Sequence, residues 1–196
     1  MNATTLEKPS LSARLKHDTA AEHERMHQLM EQGAPFSGRD RYTRFVAAQY
    51  LFQRDVEHLF ADPRVQTVIA DFDVRGRQSA ALLDLADLGA AAPVEPLASQ
   101  GVTMPAALGW LYVSEGSTLG AALLLKEARE KLGLSDTFGA RNLAAYPDGR
   151  ATTWRRFVAS LDEAGYDDAE QDAVIGGALA AFARFGDLLQ RQFRLP

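Results

Sequence analysis

The 196-residue chain has no cysteine, which excludes a disulfide framework, a zinc ribbon, an iron–sulfur centre and a thiol nucleophile together. It has no excess of positive charge either. Its 21 basic and 26 acidic residues leave a net charge of −5, whereas a nucleic-acid grip needs a basic face. GxGxxG, the P-loop and GxSxG are all absent, so the common nucleotide and hydrolase chemistries have no anchor. Paired ExxH motifs for a di-iron bundle are also missing. Met1 to Ser10 lacks the basic-then-apolar layout of a secretory leader, so the expected compartment is the cytoplasm. What remains is 46% apolar and 24% charged, the make-up of an ordinary globular protein with a sizeable core.

The apolar residues recur at helical spacing, and no period-2 segment lies between hairpin turns. A first helix is predicted over Leu11 to about Glu31, stopped by Gly33-Ala34-Pro35, and a second from near Ser37 to Phe60, ended by Asp62-Pro63. A third spans about Arg75 to Leu88, with Gly89 beyond it. The segment AAAPVEPLASQG has no periodicity and reads as a loop. Thr103 and Pro105 suit the first turn of a long helix reaching about Leu132. Thr152 or Thr153 is expected to cap a helix from Trp154 to Ala164. Asp167 and Glu170, in capping-box spacing, open the last helix, which runs to about Phe193. The expected fold is all-α, a single domain over residues 11–196 behind a flexible tail over residues 1–10.

The long helix breaks its own rules. It carries Gly109, Gly116 and Gly120, each costing roughly 1 kcal/mol against alanine inside a helix. Gly116 and Gly120 lie one turn apart on one face, against which something flat has room to lie. Tight helix–helix packing accounts for the same glycines equally well. A membrane span does not, because Glu115 interrupts the otherwise uncharged run from Met104 to Leu125. On the first helix, His23 falls at the edge of the stripe of Thr19, Met26 and Met30 and is expected to face the core. Lys16 and His27 flank it, and His17 points nearly opposite. Lys16 precedes His23 by two turns, on the order of 10 Å. That is about the reach from a haem iron to its propionates, and an imidazole with a cation at that distance suits a porphyrin. A core histidine and a solvated lysine suit the pattern too. Arg155 and Arg156 beside Trp154 read either as an anion clamp or as exposed helix-end charges.

These pieces together are familiar: a histidine on the first helix, FVAAQYLFQ on the second, GWLYVSEGSTLGAALLLK on the long one, then FGARNL and FARFGDLL. The combination resembles bacterial-type haem oxygenase over nearly the whole chain, roughly Leu11 to Phe193. The resemblance implies a helical fold that clamps haem between a proximal helix bearing the iron ligand and a kinked distal helix. His23 matches the ligand by position. Gly116, Ser117 and Gly120 match the distal segment, where the glycines leave room only for a small bent ligand. Lys16 and Tyr112 match contacts to the propionates, with Arg155 as a third, and His27 and Phe185 are further expected haem contacts. Haem is then both cofactor and substrate: O2 and electrons open it to biliverdin, with release of CO and ferrous iron. The electrons come from a separate ferredoxin- or flavin-type reductase, since no flavin or nicotinamide motif is present. A haem-uptake system upstream and a bacterial phytochrome downstream are the partners such chemistry serves. A non-catalytic haem carrier or sensor is the rival reading.

Two positions depart from the family pattern. Many members have a carboxylate one turn after the ligand, which orients its other ring nitrogen, and here that position is His27. The mammalian branch has an aspartate just after the first distal glycine, and here Ser117 stands there. A bacterial subgroup holds haem rotated by lysines elsewhere, at positions matched by Glu31 and Glu127. Their charge would repel propionates, so α-meso opening to biliverdin IXα is expected.

Overall fold

The protein is seen as a computed structural model that describes residues 8–195. Residues 1–7 of the expected tail lie outside the described residues. Ser10 caps the first helix, its hydroxyl accepting from the Ala13 amide at 3.3 Å. The described residues form helices α1 (Leu11–Asp18), α2 (Ala20–Gly33), α3 (Arg39–His58), α4 (Pro63–Val68), α5 (Phe72–Arg75), α6 (Gln78–Asp87), α7 (Ala106–Leu132), α8 (Arg150–Asp162) and α9 (Asp168–Phe193). Short 3-10 turns supplement them, and among the described residues there is no strand beyond isolated bridges from Ser135 to Phe138 and Gly139. No helix among the described residues is long and apolar enough to cross a membrane.

Two long helices organise the core. Gly109 of α7 and Gly177 of α9 meet so closely that a Cβ on Gly109 would stand 2.1 Å from the Val174 carbonyl oxygen. A Cβ on Gly177 would stand 2.0 Å from that of Ala106. The packing reading of the glycines therefore holds for Gly109. α2 lies on the other end of α9, with Met26 over Gly186 and the Phe193 ring over Gly33. α3 packs against α9, α6 and α7, burying Tyr42, Phe45, Leu51 and Phe52.

Four expected boundaries are corrected. The first helix is interrupted at Thr19, whose hydroxyl donates back to the Leu15 carbonyl at 2.7 Å, a back-bond that bends helices. Asp62-Pro63 does end α3's extension, but it also starts α4, with the Asp62 side chain capping Arg64 and proline in the first turn. The third helix starts at Gln78 rather than about Arg75, which ends the separate α5, and the Glu57 carboxylate, from α3, accepts from the Arg77 and Gln78 amides at 2.5 Å each. That cap comes from another helix and has no local signal. α8 starts at Arg150 rather than Trp154, immediately after Gly149 at a positive φ of 83°, and Thr153 points inward, 2% exposed. The long helix begins at Ala106, one residue after Pro105, and the capping box of Asp167 with Glu170 forms as expected.

Candidate active site

α2 and α7 both pack on α9 but barely on each other, and the gap between them is closed at its two ends. At one end the Tyr112 hydroxyl of α7 lies beside the hydroxyl of Thr19, the N-cap of α2. At the other, the turn Pro35–Ser37 that follows α2 packs against α7, and Arg39 donates to the Leu132 carbonyl at 3.0 Å. The helices thus run side by side in the same sense, with a cleft between them. One turn beyond the Thr19–Tyr112 contact stand His23 on one wall and Gly116 on the other. A second turn brings His27 and Gly120.

On the α7 wall, Gly116 lies beneath the Trp154 indole, which a Cβ would meet at 3.6 Å, and the indole rests on the Tyr112 ring at 5.5 Å. A Cβ on Gly120 would meet nothing within 4 Å. Ser117 is exposed, its hydroxyl donating to the Ser114 carbonyl at 2.6 Å, which leaves its lone pairs free to hold water. Leu119 and Leu123 are 42% and 63% exposed, and Leu123 lies about 20° round the helix from Gly116. Burial raises the Tyr112 pKa and the Thr19 hydroxyl partly offsets this, so the phenol stays protonated and able to donate.

On the α2 wall, His23 is exposed instead of facing the core. The packed side of α2 is the stripe of Met26, Leu29 and Gly33 against α9, which leaves His23 at the rim of the cleft. His27 is exposed as well, and its ring meets that of His23 edge-on, with centroids 4.7 Å apart at 62°. Lys16 is exposed on the last turn of α1, one turn before Thr19, while His17 turns away to Asp18 at 2.7 Å. Two expected residues stand apart. Arg155 is exposed on α8, its Nε donating to the Ala151 carbonyl of its own helix at 3.3 Å. Phe185 packs on Phe52 at 5.1 Å, and Phe52 stacks on Trp110, so it belongs to an aromatic layer behind the cleft.

The sequence reading missed what holds the α7 wall in place. Glu115, beside Gly116, is 4% exposed and ion-paired with the equally buried Arg75 at 2.9 Å. The Arg75 Nη1 hydrogens are not aligned on the carboxylate, so the contact is charge to charge. The Tyr146 hydroxyl donates to Glu115 at 3.1 Å, and the Arg77 guanidinium lies 4.6 Å over the Tyr146 ring. Arg150 donates to the carbonyls of Thr118 and Leu143, tying α7 to the 140s loop. Burial pushes the Glu115 pKa up, and Arg75 pulls it back only in part. The signal was the lone charge in a long uncharged run, since a buried glutamate demands a cation. Its partner sits 40 residues away on a four-residue helix.

A flat apolar ligand carrying an iron and anionic substituents fits these residues. Imidazoles with no hydrogen-bond partner among the described residues line one wall, and an alanine methyl is missing from the other at Gly120. Exposed leucines extend that second wall, and Lys16 and Tyr112 mark one end.

The comparisons with known proteins agree. Residues 9–191 match the family model described as heme oxygenase. The chain is 45% identical over 184 residues to heme oxygenase PigA of Pseudomonas aeruginosa, covering 93% of this chain and 92% of that protein. It is 32% identical over 157 residues to a heme oxygenase of Xanthomonas campestris pv. campestris, covering 79% and 92%. A crystal structure of the NO- and CO-bound heme oxygenase from Neisseria meningitidis superposes with a TM-score of 0.89 at 34% identity, over 96% of this chain and 94% of that one. With the fold, the cleft and these matches in agreement, the chain is a haem-degrading enzyme and belongs to the haem oxygenase family.

Proposed function

We propose that the chain opens haem with O2 and electrons to biliverdin IXα, releasing CO and ferrous iron. Haem bound in the cleft would be both the substrate and the source of the iron at which O2 is reduced. What supports this reading is the shared register of the two helices: counted from the Thr19–Tyr112 contact, His23 on α2 and Gly116 on α7 each lie one turn further on. His23 would ligate the iron from α2 through a neutral imidazole. Gly116 and Gly120 would let haem approach the α7 backbone, and the Trp154 indole over Gly116 would keep bulk water from that wall. The Ser117 hydroxyl would hold an ordered water and pass a proton through it.

Lys16 and the Tyr112 hydroxyl would bind the propionates at the closed end, with Arg155 reaching them by turning off the Ala151 carbonyl. His27 would pack beneath the macrocycle beside His23, and Phe185 would support the pocket from behind through Phe52. We assign the electrons to a separate ferredoxin- or flavin-type reductase, and the working compartment to the cytoplasm, where such donors are reduced. The α-meso outcome is supported by the charge at the far end of the cleft. Glu31 is exposed on α2 and unpaired with any described cation, so its carboxylate disfavours propionates there, while Glu127 on α7 is paired with Lys131 at 2.6 Å and offers them no free cation. Chromatography of the product of complete turnover tests the assignment. Biliverdin IXα as the main isomer is expected, and mainly β or δ isomers would overturn it.

A further inference from the structure

We propose that His27 is a second ligand for haem iron, so that the cleft offers haem two registers one helical turn apart. The proposal rests on the haem-binding reading of the cleft. Three observations carry it. First, His23 and His27 are both exposed on the same side of α2, with their rings in edge contact at 4.7 Å. Neither is tied by a hydrogen bond to another described residue, so each ring can turn a nitrogen toward a ligand. Second, the opposite wall repeats with the same period. Gly116 and Gly120 are four residues apart, as the histidines are, so a shift of about 6 Å carries a planar ligand from His23–Gly116 to His27–Gly120 in step. Third, the second position has the space: a Cβ on Gly120 would meet nothing, and Leu123 beyond it is exposed.

The two registers are not equivalent. Gly116 lies under the Trp154 indole and Gly120 lies under no side chain. Only the first is roofed against water, and only the first lies one turn from the Thr19–Tyr112 contact and Lys16. Ring opening therefore belongs to His23, while His27 holds haem in a position where it is bound and not degraded. The imidazole–iron bond is the same in kind, so the difference is one of register.

Haemin titrations into the full chain and three variants, His23→Ala, His27→Ala and the double variant, test this. Absorption and electron paramagnetic resonance spectra read the axial ligand without turnover. Both histidines are exposed, and far-UV circular dichroism checks that each variant is folded. His23→Ala should keep an imidazole-ligated haemin at one equivalent, and the double variant should lose that signature. His23→Ala with the spectrum of the double variant, restored only by imidazole added from solution, would overturn the second ligand. A parent protein that takes up no haemin would overturn both this proposal and the reading it rests on.

Discussion

Replacing Gly116 or Gly120 with alanine separates a glycine kept for the fold from one kept for a ligand. Inside a helix the exchange removes backbone freedom from the unfolded chain and gains roughly 0.5–1 kcal/mol where the methyl has room. At Gly120 it has room, with nothing within 4 Å, and at Gly116 it meets Trp154 at 3.6 Å, an ordinary van der Waals contact. Each variant of the haem-free protein should therefore melt higher. About 1 kcal/mol corresponds to about 2–4 °C in a chain of this size. The same methyls stand on the wall of the cleft, so haemin should bind more weakly and ring opening should slow. The assay is a thermal melt without haem beside a haemin titration and a turnover rate. A lower melting temperature for Gly120→Ala would make that glycine structural. Unchanged binding and turnover in both variants would show that the cleft is not where haem lies.

Gly109→Ala should behave oppositely. Its methyl would meet the Val174 carbonyl oxygen at 2.1 Å, so α7 and α9 must part, costing about 1–3 kcal/mol or more in urea unfolding. Asp84→Ala removes a buried carboxylate that accepts from the Arg141 and Asn142 amides at 2.9 Å and from Asn142 Nδ2 at 2.8 Å. The donors left behind should cost about 3 kcal/mol by the same measurement. Burial raises the Glu115 pKa, so above the ordinary value of 4.5 the native state holds a proton that the unfolded state has lost. Stability from this group is therefore present at low pH and lost as pH rises through the raised value, with a slope of at most about 1.4 kcal/mol per pH unit. Glu115→Gln should flatten that slope in unfolding curves taken across pH, and an unchanged slope would assign it to another group.

Much of the fold was legible because it is written locally. Helical apolar spacing, the Asp167–Glu170 capping box and the proline-glycine breaks depend on neighbours in the chain, and the helices they predict are present. The errors fall where a distant group decides. Glu57 of α3 caps Arg77 and Gln78, moving the start of a predicted helix from about Arg75 to Gln78, and no residue near Gly76 announces it. The site divides along the same line. The walls were readable because His23, His27, Gly116 and Gly120 are spaced by the helical period. The exposure of His23 was not, since the apolar stripe on α2 does not say how far round it the α9 contact extends. Nor does spacing distinguish Gly109 from Gly116 and Gly120. That requires knowing which helix face is already occupied, and only α9 supplies it. The buried pairing of Glu115 with Arg75 joins residues 40 positions apart, a match made by folding alone.

The most direct test of the account is an absorption spectrum of the purified chain with haemin, followed as a reducing system is added in air. The account predicts a shifted Soret band on binding, then its loss as a biliverdin band grows, with no biliverdin formed by His23→Ala. A Soret band that persists under those conditions would make the cleft a haem carrier, and the absence of any shift would contradict haem binding itself.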